Sequence, residues 1–428
     1  MGREPSSEAR VLPGTGSPAE PTERHPPLHL LLATVALALA VWVLRRPDQF
    51  LHPYVWSDEY HLINRYQHGG LLDAALGPLK GYFVWPTSSS ISLAAWAGFS
   101  HLPTLEYWSA TGWFLLTVLL VVVPRSFIPF GWRMAMVLAL VLAPMNPEVF
   151  GVALYSFWWT SLWPLITFTW SRDYWWLRVP VLALGGMSSI AGAALAFPAA
   201  LLFVIARRRR DLVATALLGA TLAAQVGAYL TSARSQQTQL RPLAVGLQEL
   251  RNFSFYELAW WRRPDTALLA VAGFVLLVAV VTVAVLGARR RWASARPQIL
   301  AIVVSLLLVG VISAVPAPLL TEPRINGPRY YFLPFVALGW ALVTIAASSR
   351  WAWARLGAAA LLVVPLAALS LDFARYEPNV SWSAELAHCR GAVRPFYVPV
   401  QFTGELSQMW RSALVITPAT CRRLGYPS

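Results

Sequence analysis

Asp58 and Glu59 stand side by side in SDEYHLINRY, residues 57 to 66, with His61 and Arg65 close behind. A single carboxylate is enough to position an attacking hydroxyl and take its proton. A second one beside it can hold the acceptor, raise its neighbour's pKa by like-charge repulsion, or help to bind a divalent cation. Adjacent residues on a helix point about 100° apart, so shared metal ligation would need loop geometry, and the metal stays open. The same residues also fit a solvated loop in which Asp58 caps a short helix over 59–69. Far along the chain, TEPRINGPRYYF carries Arg324 and Arg329, whose guanidinium groups offer paired donors to phosphate oxygens. They could equally anchor a loop to lipid head groups. Tyr330 and Tyr331 fit either a phosphate contact or an interfacial aromatic belt, and Glu148 in MNPE could share a cavity with Asp58.

These residues are set in an apolar chain. Of 428 residues, 57% are hydrophobic and only 13% charged, with a mean hydropathy of +0.53. That is the composition of a polytopic membrane protein. Long apolar runs without strict alternation point to spanning helices and exclude a β-barrel. Eleven spans are expected, over 28–44, 107–123, 128–144, 149–170, 177–190, 191–206, 211–231, 266–287, 298–317, 331–348 and 353–371. The Gly-Gly-Met-Ser-Ser-Ile-Ala-Gly stretch at 185–192 predicts a tight turn between two short helices.

The clusters RRRRD at 207–211, ARRRWASAR at 288–296 and SSRWAWAR at 348–355 press against span ends, which assigns all three to the cytoplasm. Counting from them puts the N-terminus inside, 45–106 in a long first external loop, and the tail from 372 outside. The net charge of +14 comes from basic residues that flank the spans, about as many in the external segments as in the cytoplasmic ones, and no basic, aromatic-rich domain for nucleic acid is present. Residues 1–27 read as a disordered cytoplasmic leader. Residues 88–103 read as an amphipathic helix in the outer interface, and 232–265 as a long polar external loop. The tail predicts a small α+β cap, in which Cys389 and Cys421 are placed to close a disulfide loop or to stand as separate thiols. Belt positions account for most of the 21 tryptophans, although aromatic faces also stack on sugars.

Taken together, SDE at 57–59 in a long first external loop, the short helix pair ending in AFPAALLFVIARRRR, PRYYFLP at 328–334 and an eleven-span plan with an external C-terminus resemble the GT-C superfamily of integral-membrane glycosyltransferases. That superfamily includes protein O-mannosyltransferases and aminoarabinose transferases. The resemblance implies an all-α membrane fold and a polyprenyl-phosphate sugar donor at the plasma membrane. The acceptor would be a glycan, lipid or protein on the extracytoplasmic face. It implies Asp58 as catalytic base or acceptor-site residue, with Glu59 as its partner. Arg324, Arg329 and Tyr330 would meet the lipid phosphate, while His61, Arg65 and Glu148 would contact acceptor or sugar. No cofactor is required, and a divalent cation is compatible. The absence of a Walker glycine loop argues against an ATP-driven pump, and no zinc spacing is present. A lipid-linked saccharide flippase, a secondary transporter and a non-catalytic cell-envelope scaffold are the other classes that fit the composition.

Overall fold

The computed structural model describes residues 26–426 except 57, 233–241, 259–265, 289–294, 316–326, 371, 378–379 and 401–409. Residues 1–25 of the leader and Arg324 therefore lie outside the described residues. The chain is mostly helical. Among the described residues, six helices are long and apolar enough to cross a membrane, within which backbone groups must bond to one another.

The first of these, α1 (Leu28–Arg45), runs into the short α2 (Pro47–Leu51). Helix α3 (Glu59–Leu76), kinked at Gly70, continues past the expected stop at Gly69. It turns through Leu79–Tyr82 into α4 (Trp85–Gly98), and a 3-10 turn at Phe99–His101 leads into α5 (Leu102–Val122). Helices α4 and α5 fold back on one another, and Trp113 Nε1 donates to Ser90 Oγ at 2.7 Å. The expected amphipathic helix is inverted here. Ser88, Ser90 and Ser92 point into the protein, while Leu93 and Trp96 are exposed. Ser88 and Ser90 bond back to the carbonyls of Val84 and Pro86 in their own helix, while the Ser92 hydroxyl is buried without a partner. An outward apolar face then suits a lipid environment rather than water.

After α6 (Phe130–Val141), the stretch expected to be one span over 149–170 is two short helices, α7 (Ser156–Thr160) and α8 (Trp163–Thr169). Its tryptophans fill the core instead of a belt. Trp159 touches Trp42, Phe114, Phe150 and Phe332, with ring centroids 4.6 to 5.3 Å apart. Helix α9 (Trp175–Gly186), the short α10 (Ile190–Ala194) and α11 (Ala196–Ala206) follow, with the expected turn at 187–189. Ser189 caps α10 through the Gly192 N–H.

Long α12 (Arg209–Leu230) leads to α13 (Pro242–Leu258), α14 (Thr266–Gly287), α15 (Arg296–Ala314), α16 (Arg329–Ser348), α17 (Ala352–Val363) and α18 (Pro365–Leu369). Sequence reading assigned 232–265 to a polar loop. Within it, α13 instead packs against α14, α15 and α16, burying Gln248, Asn252, Phe253 and Tyr256. It passes so close to α14 that a side chain at Gly273 would collide with the Leu250 carbonyl oxygen. The polar residues are accommodated because they bond one another and the bundle: Gln248 Nε2 donates to Tyr331 Oη at 3.2 Å.

The interhelical segments gather into two groups. One joins 45–56, 143–155, Arg329 and 372–377, through contacts such as the Arg375 N–H to the Arg45 carbonyl at 3.0 Å. The other joins 122–130, 169–174 and 207–211. Helix α5 runs from the first group to the second.

The tail packs on the first group. Helices α19 (Trp382–Ala387) and α20 (Pro418–Arg423) flank an antiparallel pair, β1 (Phe396–Val400) and β2 (Trp410–Ile416). Asn64 and Gln67, one turn apart on α3, serve as a surrogate strand along the edge of β2. Gln67 Nε2 donates to the Val415 carbonyl at 2.6 Å, and the Val415 N–H donates to Asn64 Oδ1 at 3.2 Å. An edge that would otherwise invite pairing with another chain is thereby covered. Cys389 and Cys421 are joined, with Cα atoms 5.3 Å apart and 32 residues of separation. Replacing both by serine should cost the cap about 3 kcal/mol from the lost loop constraint. Limited proteolysis should then cut residues 390–420 faster while leaving the helical bundle intact.

Candidate active site

The chain enters the site through a buried ion pair. Arg46, freed from α1 by a break in the helix, donates Nε to Asp48 Oδ1 at 3.0 Å and Nη2 to Tyr54 Oη at 2.8 Å. Tyr54 Oη donates in turn to Asp48 Oδ2 at 2.8 Å. Both charged groups are desolvated, so the pair is sustained by satisfying its hydrogen bonds rather than by net Coulomb gain. Gly151 packs against Gln49 with a φ of +69°. That backbone conformation favours glycine, and a Cβ there would crowd the Gln49 side chain.

Glu59 fastens the next segment. Its carboxylate is 1% exposed and accepts two backbone N–H groups, Trp56 at 2.5 Å and Leu154 at 2.8 Å. One side chain therefore ties the segment before α3 to the turn before α7. Burial pushes its pKa up to about 7, opposed by the two N–H donors.

Asp58 is free of that clamp. It occupies the position before α3 without capping it, and its Oδ1 lies 2.8 Å from Lys80 Nζ, with both side chains partly exposed. Lys80 sits at the apex of the Leu79–Tyr82 turn with a φ of +49°, followed by Gly81 at +89°. Two successive residues at positive φ make a type I′ turn, whose first central position strains a lysine. The turn is fixed from beneath, since any side chain on Gly81 would strike Ser232. His61 stacks against Tyr60 with centroids 4.0 Å apart, and burial together with the Lys80 charge lowers its pKa. Arg65 Nη2 donates to the Pro78 carbonyl at 2.9 Å, so it braces the same turn.

Glu148 and Arg329 meet at the same end of the bundle, with Arg329 Nη1 2.7 Å from Glu148 Oε1. That oxygen also accepts from Tyr155 Oη at 2.8 Å, and Trp56 Nε1 donates to Tyr155 Oη at 2.9 Å. The other Glu148 oxygen is buried without a partner. Arg329 stacks over the Tyr330 ring at 5.0 Å. Tyr331 is wholly buried and held by Gln248, so it lies in the core and not in an interfacial belt. Trp56 is covered by two cations, Arg46 at 5.5 Å and Arg375 at 5.0 Å from its ring.

Asp58 and Arg329 are thus linked through Glu59, the 154–155 backbone, Tyr155 and Glu148. The adjacent acids do not converge as a cation site, because Glu59 spends both oxygens on backbone N–H groups and Asp58 faces an ammonium. Among the described residues, no group of three His, Cys, Asp or Glu side chains is placed to hold a metal. The sequence alone assigned no role to Lys80, Trp56, Tyr155 or Glu106. The Lys-Gly pair between Leu79 and Tyr82 was the available signal for the turn. Glu106 in α5 is 3% exposed, and neither carboxylate oxygen has a partner.

Glu59→Gln replaces one acceptor oxygen with an NH2 group facing a backbone N–H, and should destabilise the protein by about 1–3 kcal/mol in thermal melts. The pH dependence has a defined sign. Burial raises the folded-state pKa from 4.5 to about 7, so the folded protein holds the Glu59 proton more tightly than the unfolded chain. This contribution is present below 4.5 and is lost as pH rises through about 7. Melting temperatures should fall by more across that interval in wild type than in Glu59→Gln, the difference being the Glu59 contribution. Comparison with protein-family models, curated proteins and solved structures finds no match to this chain.

Proposed function

We propose that the chain is an integral-membrane glycosyltransferase of the GT-C type, moving a sugar from a polyprenyl-phosphate donor to an acceptor hydroxyl at the extracytoplasmic face of the plasma membrane. In this reading the eleven-span plan holds, with the N-terminus cytoplasmic and the C-terminal cap outside. Asp58 takes the acceptor proton, and the acceptor oxygen forms a bond to the anomeric carbon. The bond from that carbon to the phosphate oxygen breaks, and polyprenyl phosphate departs as an anion. Arg329, with Arg324 and Lys80, neutralises it. Glu59 positions Asp58 by anchoring the backbone beside it, and Tyr330 flanks the phosphate.

The single observation that carries this reading is the arrangement of charges at one end of the bundle. A partly exposed carboxylate paired with an ammonium is linked through four residues to a guanidinium on another helix. Those are the groups that proton removal and phosphate departure require. With purified protein and labelled polyprenyl-phosphate sugars, Asp58→Asn should lower kcat by about 10²–10⁴. Arg329→Gln should raise the donor KM about tenfold or more. Unchanged transfer by Asp58→Asn would remove the base assignment, and no transfer by wild type from any such donor would overturn the reading.

A second reading, a proton-coupled transporter, is favoured by Glu106, a buried acid with no partner on a candidate span. It requires proton-dependent uptake in proteoliposomes that Glu106→Gln abolishes, with no glycosyl transfer.

A further inference from the structure

The end of the bundle away from Asp58 carries the RRRRD cluster at 207–211, to which the reaction gives no part. Beside it, Arg178 in the first turn of α9 is only 2% exposed. Its guanidinium lies over the Trp170 ring at 5.4 Å, yet Nε and Nη2 are buried with no hydrogen-bond partner. Arginine keeps its charge, so a buried and unsatisfied guanidinium costs several kcal/mol unless something supplies acceptors.

The protein groups nearby do not supply them. Arg210, Asp173 and Asp211 are close enough for their charges to act on Arg178. The two acids are engaged by Arg210, whose Nη1 lies 3.2 Å from Asp173 Oδ1 and whose Nε lies 3.7 Å from Asp211 Oδ1. Asp211 Oδ2 is itself buried without a partner. The N-terminus of the 22-residue α12 opens at Arg209, with its positive dipole end in the same neighbourhood. Unspent donors on Arg178 and an unspent acceptor on Asp211 together describe a ligand that is both an anion and a hydroxyl donor.

We propose that Arg178, Arg210 and Asp211 bind the headgroup of an anionic phospholipid whose phosphodiester carries a hydroxyl, of the phosphatidylglycerol type, in the leaflet at this end. The phosphate oxygens accept from Arg178 Nε and Nη2, and the glycerol hydroxyl donates to Asp211 Oδ2. Basic pockets between spanning helices recognise anionic headgroups in this manner. Trp170 forms the apolar floor that keeps the guanidinium in place. The site differs from the Asp58 site in location and ligand, and does not depend on the glycosyltransferase reading.

The test is native mass spectrometry of the delipidated full-length protein, titrated with phosphatidylglycerol, phosphatidylethanol (an anionic diester without headgroup hydroxyls), phosphatidylcholine and inorganic phosphate. Wild type should retain phosphatidylglycerol over phosphatidylcholine by about fivefold or more, with phosphatidylethanol between them. Arg178→Gln should bring the three lipids close to equal, and Asp211→Ala should remove only the preference over phosphatidylethanol. Equal retention of all lipids by wild type would overturn the proposal and assign the buried groups to ordered water. Displacement of the lipid by inorganic phosphate alone would overturn it in favour of a soluble anion. The wild-type comparison decides the matter even if Arg178→Gln does not fold.

Discussion

The two hydrogen bonds that the Glu59 carboxylate accepts from Trp56 and Leu154 are the constraint on which the rest of the site depends. Both donors are backbone groups in irregular segments, one before α3 and one before α7. Such groups have no ladder to satisfy them, and leaving them bare in the interior would be costly. A single buried carboxylate satisfies both, which fixes the start of α3 and hence the direction in which Asp58 leaves the backbone. It also fixes Tyr155, one residue after Leu154, whose hydroxyl connects Trp56 to Glu148 and so to Arg329.

Around this junction the polar groups are arranged by depletion of alternatives. Arg46 and Asp48 are buried together with Tyr54, each using the others' hydrogen-bonding capacity. Arg45 is spent on the carbonyls of Ala143 and Met145, at 3.3 and 2.6 Å from Nη1 and Nη2. Charges left accessible are therefore few, and Asp58, Lys80 and Arg329 stand out among them. Below, the rings of Trp42, Phe114, Phe150, Trp159 and Phe332 pack edge to face and stacked, giving a rigid floor of large side chains. Polar chemistry above and a stiff aromatic core beneath let short, broken helices hold position despite their length.

The C-terminal cap adds a second tie across the same end. Its strand edge is read by Asn64 and Gln67 of α3, and Trp382 Nε1 reaches the Phe99 carbonyl at 3.0 Å. Arg375 joins Asn146 at 3.1 Å, and pairs with Glu377. The segment between α1 and α5 is thus held from below by the bundle and from the side by the tail. This is why α3 and the Lys80 turn are ordered parts of the fold rather than a loose loop.

Composition and apolar run length were enough to indicate helices that could span a membrane, and the Gly-Gly-Met-Ser-Ser stretch was enough to place the turn at 187–189. Both depend on local transfer energy and backbone preference. The candidate acids and Arg329 were also legible, because charge is rare enough in such a chain to be conspicuous. Their partners were not. Nothing local distinguishes the clamping Glu59 from the accessible Asp58 beside it, since the difference lies in the Leu154 amide 95 residues away. The same holds for the inward serines of α4, the core tryptophans of 156–170 and the buried polar helix α13. Which face of a helix meets protein or lipid is set by the neighbours that pack on it, and a one-dimensional pattern carries that information only when one side meets water.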